Sequence, residues 1–397
     1  MSLWDDLVGQ DEAVQILRSA ARASDDLIAG RTVASGSITH AWLFTGPAGS
    51  GRSIAARAYA AALQCERVED PGCGQCAACH TVLTRSHPDV YAIVPDGLSI
   101  GVDLMREVVG KSARRPARGR WQVVLIEDAD RLTEGASNAL LKVIEEPPAR
   151  TVFLLCAPST HPDDVSLTIR SRCRLVSLRT PPPAAVAAVL ARDGIDGATA
   201  QWAAAAGQGH VGRSRRLARD EQAREHRTAV LAIPASLTSL RACLDAADHL
   251  VTAAEAEASA LAGDRDAGEA EALQTALGAG GTGKGAAAAG RGTAGALKEL
   301  ERRQKSRATR TQRDALDRAL VDLAAFYRDV LLVHAGSNVP RAHPDFDDDV
   351  RTVALRVPAP GVLQRLDAVL ACREALDLNV KPRIAVEAMT AALRLPA

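Results

Sequence analysis

Aromatic side chains are scarce in this chain: four Phe, four Trp and three Tyr among 397 residues. A core with so few rings must rest on Ala, Leu and Val, a composition that favours helices. An excess of one charge is missing too, with Lys+Arg and Asp+Glu at 48 each. Without a global basic field, any contact with nucleic acid has to come from a local patch. No stretch approaches the roughly 18 uninterrupted apolar residues of a membrane helix. The opening Met1-Ser2-Leu3-Trp4-Asp5-Asp6 is acidic and lacks the apolar run of a secretory signal. These absences lead to the expectation of a soluble, cytoplasmic protein. Its length suits two or three domains of about 100–200 residues.

Cysteine, by contrast, is concentrated. Cys65-x7-Cys73-x2-Cys76-x2-Cys79 places four thiols in fifteen residues. Three cysteines at x2 spacing cannot easily all pair as disulfides, but with Cys65 they can surround one tetrahedral zinc. His80 adjoins Cys79 and is a competing ligand. A reducing compartment favours metal binding over disulfides. Cys156, Cys173, Cys243 and Cys372 are scattered and read as small buried hydrophobes.

Just upstream, Gly46-Pro47-Ala48-Gly49-Ser50-Gly51-Arg52-Ser53 follows an apolar run and precedes an Ala-rich segment. The pattern G-x4-G-K-[ST] cradles phosphates with backbone N–H groups at a helix N-terminus. Gly46, Gly51 and Ser53 fit it, with Gly49 a further candidate inside the loop, but Arg52 stands where Lys is expected. A planar guanidinium is no simple replacement for a point charge. An acidic pair closes the apolar run Val123-Val124-Leu125-Ile126 as Glu127-Asp128. The usual order is Asp for Mg²⁺ followed by Glu to polarise water, so this pair is reversed. ATP and Mg²⁺ are therefore candidate ligands, with two altered motifs arguing against hydrolysis.

Along the chain, residues 1–178 read as alternating helices and parallel strands. Strands are expected at 41–44, 90–94, 122–126 and 151–157, with helices at 11–21, 54–63, 104–112 and 136–144. Pro181-Pro182-Pro183 marks a boundary. A small helical unit is expected over 179–221 and a helical domain over 222–397. Leu316, Leu320, Leu323, Tyr327 and Val330 share one helix face there. The Gly/Ala-rich stretch at about 278–295 reads as a flexible insertion. The basic run Lys298 to Arg313 reads either as a solvated helix face or as a DNA-facing patch.

With these motifs in hand, the chain resembles bacterial DNA polymerase III clamp-loader subunits of the AAA+ superfamily. The carriers are Val8-Gly9-Gln10, His40-Ala41-Trp42-Leu43-Phe44, the glycine loop and the four cysteines. Pro116-Ala117-Arg118-Gly119, Asn138-Ala139-Leu140-Leu141-Lys142, Glu145-Glu146-Pro147-Pro148 and Ser171-Arg172-Cys173 complete the set. The resemblance implies an AAA+ parallel-sheet domain with a zinc knuckle at 65–79, a small helical lid and a helical collar. It implies a hetero-pentamer with gamma/tau motor and delta subunits, acting on a sliding clamp and primed DNA. The altered motifs and the chain length point to the delta-prime, or stator, type. A working gamma/tau-like ATPase is the alternative.

The resemblance also assigns roles. Arg172 would reach across the subunit interface as an arginine finger; a local helix cap or a basic strip with Arg170 and Arg174 are the plainer readings. Leu7, Val8 and Gly9 would line an adenine pocket. Ser159 or Thr160 would sense the γ-phosphate, and Arg213, beside Gly212, falls near a second sensor.

Overall fold

The computed structural model describes residues 2–34, 36–67, 69–276 and 286–396. The chain divides into two compact units, Met1–Arg219 and Asp220–Ala397. In the first unit the elements run α1 (Asp11–Ile28), β1 (Ala41–Thr45), α2 (Arg52–Gln64), α3 (Ala77–Leu83), β2 (Val90–Ile93), α4 (Val102–Ser112), β3 (Gln122–Ile126) and α5 (Glu134–Glu145). They continue with β4 (Thr151–Ala157), α6 (Leu167–Arg170), β5 (Arg174–Ser177), α7 (Pro183–Arg192), α8 (Gly197–Ala206) and α9 (Val211–Arg219).

The strands form one parallel sheet in the order β2-β3-β4-β1-β5. Every residue of β1, β3 and β4 is buried, which is why they read as unbroken apolar runs rather than as alternating ones. The two-residue period still sorts them. Trp42 and Phe44 face a core shared with α1 and α2, whereas Ala41 and Leu43 face a core shared with α4 and α5.

The sequence pattern shows four strands and misses β5. This edge strand is four residues long, begins on an arginine and leaves Leu175 exposed. Its pairing is nonetheless defined: Phe44 lies opposite Val176, and the Arg174 guanidinium sits 5.0 Å from the Trp42 ring centroid.

One buried carboxylate orders the loop between α4 and β3. Asp89 accepts hydrogen bonds from the backbone N–H groups of Ala117, Arg118 and Gly119. Gln64, also buried, accepts from the Arg120 N–H at 2.8 Å. Gly119 has no room for a side chain, since a Cβ there would lie 2.5 Å from Gln64 Oε1.

The second unit is helical: α10 (Glu221–Ser236), α11 (Leu240–Ala276), α12 (Ala286–His334), α13 (Asp347–Arg356), α14 (Ala359–Asp377) and α15 (Pro382–Ala392). Leu316, Leu320, Leu323, Tyr327 and Val330 are all buried in its core, as their spacing predicts. Residues 278–285 of the expected Gly/Ala-rich insertion lie outside the described residues. From Ala286 the backbone is helical, in keeping with the high helix propensity of its alanines. Asn379 ends α14 in the left-handed region, with the Val380 N–H bonded back to the Ala375 carbonyl, and Pro382 opens α15.

The basic run Lys298 to Arg313 lies on α12, and much of it forms a seam with other elements of the unit. Arg307 pairs with Asp266 and Glu269 of α11, and Arg313 donates to the Leu376 carbonyl at 2.7 Å. Arg302 pairs with Glu299 on its own helix. Among the described residues no helix is long and apolar enough to cross a membrane.

Burial alone would raise the Asp89 pKa, but the three N–H bonds and nearby His87 outweigh it and leave it below the ordinary carboxylate value. A depressed folded pKa means that the Asp89 contribution is present above the unfolded value of about 3.9 and is lost as pH falls through the folded one. Asp89→Asn is expected to destabilise the protein at pH 7 by roughly 1.5–3 kcal/mol. In denaturant titrations the gap to wild type should narrow as the pH is lowered toward about 3.

Candidate functional site

The glycine loop leaves β1 at Thr45 and enters α2 at Arg52. Gly46, Gly49 and Gly51 all have positive φ, at 153°, 83° and 92°. A side chain at Gly49 is excluded by more than conformation, because its Cβ would lie 2.5 Å from that of His210. His210, just before α9, therefore covers the loop. Gln10 holds the loop from another side: its amide donates to the Ser50 carbonyl at 3.3 Å and to the Arg179 carbonyl at 2.6 Å. Its side-chain oxygen accepts from the Arg179 N–H at 3.1 Å. Leu7 is buried beside Gly51, and Gly9, at φ 68°, packs on Pro182, with Val8 half-buried between them.

The cation of the loop does not point outward. Arg52 donates from its guanidinium to the carbonyl of Gly46, within the loop that would receive phosphate. Ser53 follows in the first turn of α2 and is half-buried.

Glu127, at the end of β3, is likewise engaged. Its Oε1 accepts from Arg57 of α2 at 3.0 Å and from Arg85 at 2.9 Å, and its side chain is 13% exposed. Both arginines bind Oε1, and their two positive charges disfavour a further cation at this carboxylate. Asp128 follows it as the residue before a short turn at Ala129–Arg131.

Ser159 does not face the loop with an unengaged hydroxyl. It donates to Asp164 and accepts from the His161 N–H at 2.9 Å. Thr160 offers its carbonyl to Arg170 at 3.4 Å. Arg213 lies on α9, and its backbone N–H donates to His210 Nδ1 at 3.3 Å. Arg172 is exposed after α6. It pairs with Glu145 at 2.6 Å and donates to the Thr168 carbonyl at 3.0 Å and the Ser171 hydroxyl at 3.3 Å. Its neighbours Arg170 and Arg174 turn to other partners, Thr160 and Gly36.

The four cysteines converge. The Sγ atoms of Cys65, Cys73, Cys76 and Cys79 all lie within 4.8 Å of one another. Cys65 is 3.7 Å from Cys73 and 4.0 Å from Cys76. Four thiolates about 2.3 Å from one tetrahedral ion would be about 3.8 Å apart, so the residues fit such an ion. All four positions are sulfur and three of the cysteines are buried, leaving no place for substrate.

The surroundings of the cluster are tied by hydrogen bonds. Backbone N–H groups of Gln75 and Cys79 point at Cys73 and Cys76, Arg120 holds the Cys65 carbonyl, and the Trp4 indole donates to the Pro71 carbonyl. The hydrogen bond between Cys79 and Cys65 draws the Cys65 thiol down to about 4 and pushes Cys79 up. The lowered Cys65 favours the thiolate form that metal binding uses.

Sequence pattern alone does not single out Gln10, Arg57, Arg85 or His210. Gln10 sits in a recognised motif, but nothing local marks the other three, which reach the site only through folding.

The sheet order, the glycine loop after β1 and the acidic pair after β3 together define an AAA+ type of nucleotide-binding fold. Within that class, residues 27–182 match the family model described as DNA polymerase III, delta subunit. The chain is 40% identical over 153 residues to the DNA polymerase III subunit delta' of Pseudomonas aeruginosa, covering 38% of this chain and 45% of that protein. It is 39% identical over 143 residues to the delta' subunit of Haemophilus influenzae, at 36% and 43% coverage. The Bacillus subtilis subunit tau is 36% identical over 174 residues, at 43% and 28%. The chain thus spans less than half the length of these curated relatives. Among solved structures, a gamma subunit-related protein of Thermotoga maritima aligns over 90% of this chain and 94% of its own. Its 15% identity and TM-score of 0.37 are too low to bear on function. The resemblance to clamp-loader subunits, delta' and tau alike, accordingly rests on part of the N-terminal unit.

The cysteine geometry predicts one metal ion per chain by elemental analysis. Cys76→Ala, at the least buried of the four positions, should lose it, and a chelator should lower the melting temperature of the wild type but not of the variant.

Proposed function

We propose that this chain is a delta-prime subunit of a bacterial DNA polymerase III clamp loader, a non-hydrolysing member of the ring that helps to place a sliding clamp on primed DNA. The observation that carries the reading is the self-engaged nucleotide-type site. Arg52 is turned onto Gly46, and Glu127 is held by Arg57 and Arg85. Both motif positions where the sequence departs from an ATPase are bound by the chain's own groups. ATP and Mg²⁺ at Gly46, Gly49, Gly51, Ser53 and Asp128 would meet an Arg52 turned away from phosphate and a Glu127 already neutralised.

In this reading the chemistry lies on the neighbouring motor subunit, of gamma/tau kind, and this chain contributes Arg172. A planar guanidinium can hold two oxygens of a γ-phosphate while charge builds on it. Arg172 suits that task because it is exposed and its ion pair with Glu145 is a surface pair, of a kind worth only about 0–1 kcal/mol. Phosphate can displace such a partner.

The ion at the cysteines is zinc in this reading, since four thiolates in a closed tetrahedral set suit it and leave it no catalytic role. The helical second unit would form the collar, with gamma/tau and delta as ring partners, in a reducing cytoplasmic setting.

The test is the DNA- and clamp-stimulated ATPase of a reconstituted loader carrying Arg172→Ala in this chain alone. The expected result is loss of the turnover contributed by the neighbouring site, with assembly intact by size exclusion. Fingers in well-studied phosphoryl-transfer systems contribute about 10³–10⁵ in rate, so that site should fall silent. Unchanged turnover would remove the finger assignment. ATPase in the isolated chain, abolished by Ser53→Ala, would replace the whole reading with that of a motor subunit.

A further inference from the structure

The end of the sheet opposite the glycine loop carries a second charged feature. The strands are parallel, so the loop that follows β1 and the segments that precede β3 and β4 lie at opposite ends. The α4–β3 segment, from Ala113 to Trp121, holds Arg114, Arg115 and Arg118, all exposed. Arg150, immediately before β4, is exposed as well and adopts φ 60°. The Arg150 carbonyl accepts from the Gln122 N–H at 2.8 Å, and the Thr151 hydroxyl donates to the Ser112 carbonyl at 3.2 Å. These bonds bring the end of α4 and the starts of β3 and β4 together, and with them the four arginines.

None of the four side chains has a hydrogen-bond or ion-pair partner among the described residues. The other cations of the region do: Arg106 pairs with Asp103, Lys111 with Glu107 and Arg120 with Asp25. The backbone that displays the arginines is held firmly, through the three N–H bonds to Asp89 and those to Gln64. A helix C-terminus favours nearby cations, which accounts for Arg114 and Arg115. It does not account for Arg118 or Arg150, which are off the helix. The basic run on α12 contrasts with this surface, since its Arg302, Arg307 and Arg313 have internal partners.

We propose that Arg114, Arg115, Arg118 and Arg150 form a docking surface for the phosphate backbone of duplex nucleic acid. Three features favour duplex phosphate over other partners. Every cation is arginine, whose fork matches phosphate oxygens. The segment from Ala113 to Arg120 contains no aromatic or large aliphatic side chain, so it lacks the anchors on which protein interfaces depend. The same absence removes the stacking platforms that single strands use. Backbone binding of this kind is independent of base sequence. The surface is remote from the nucleotide-type site, and the proposal stands whether or not the chain acts as a delta-prime subunit.

The test is fluorescence anisotropy of a short fluorescein-labelled DNA duplex titrated with the full chain between about 50 and 200 mM salt. Wild type is compared with the combined Arg114→Ala, Arg115→Ala, Arg118→Ala and Arg150→Gln variant. A second variant, Lys298→Ala with Arg302→Ala and Lys305→Ala, serves as control. The expected result is binding that weakens by about tenfold or more at the lowest salt in the first variant. The slope of log K against log salt should shrink by about 0.9 for each phosphate that is no longer neutralised, and the control should match wild type. Unchanged circular dichroism and metal content would show that the fold is intact. Equal binding and slope in wild type and the first variant would overturn the proposal. So would an equal weakening in the control. Capture of labelled polyglutamate without capture of the duplex would also overturn it, and assign the surface to an acidic protein.

Discussion

The guanidinium of Arg52, folded back onto the Gly46 carbonyl, closes the phosphate loop from within. The rest of the first unit is consistent with that closure. Gln10 binds the Ser50 carbonyl, His210 lies over Gly49, and Glu127 is held by two arginines rather than presented to a metal. A loop shaped to receive an anion is thus used as a joint between α2, the sheet and the helices that follow Pro182 in the same unit. The glycines remain necessary because of positive φ and close approaches, and those needs do not depend on nucleotide.

The cysteine cluster fits the same logic. The ordinary way to stabilise a loop as glycine-rich as residues 72–74 is to fasten it. Here the Trp4 indole and Arg120 do so, beside four converging sulfurs placed to hold an ion. Arg85 lies just after the helix that carries Cys79 and also grips Glu127. The four-cysteine segment and the acidic end of β3 are therefore joined through Arg85. Exposed arginines lie at both ends of the strands: Arg172 beyond α6, and Arg114, Arg115, Arg118 and Arg150 at the opposite end.

The parts of this architecture legible in the sequence are the ones written locally. β1, β3 and β4 are central strands buried on both faces, so they appear as apolar runs with nearly correct limits. The glycine loop and the cysteines are short motifs whose spacing carries their chemistry. β5 was not legible because an edge strand of four residues, half of it polar, has no such signature. Gln10, Arg57, Arg85 and His210 were not legible as site residues because their roles depend on partners 40 or more residues away. Lys298 to Arg313 was legible as basic, but the partners of its arginines were not. A run of like charge suggests an external partner until the folded structure supplies Asp266, Glu269 and a helix carbonyl as internal ones.

The proposed function rests on a nucleotide-type site whose Arg52 and Glu127 are engaged by the chain's own groups. Isothermal titration of the isolated, metal-loaded chain with ATP and Mg²⁺ tests that closure directly. A closed site predicts no heat of binding up to about millimolar nucleotide, a free energy no better than about −4 kcal/mol. Micromolar binding that disappears on replacing Gly51 or Ser53 would contradict it, and would mean that Arg52 and the Glu127 pairs give way to a ligand the loop was built to hold.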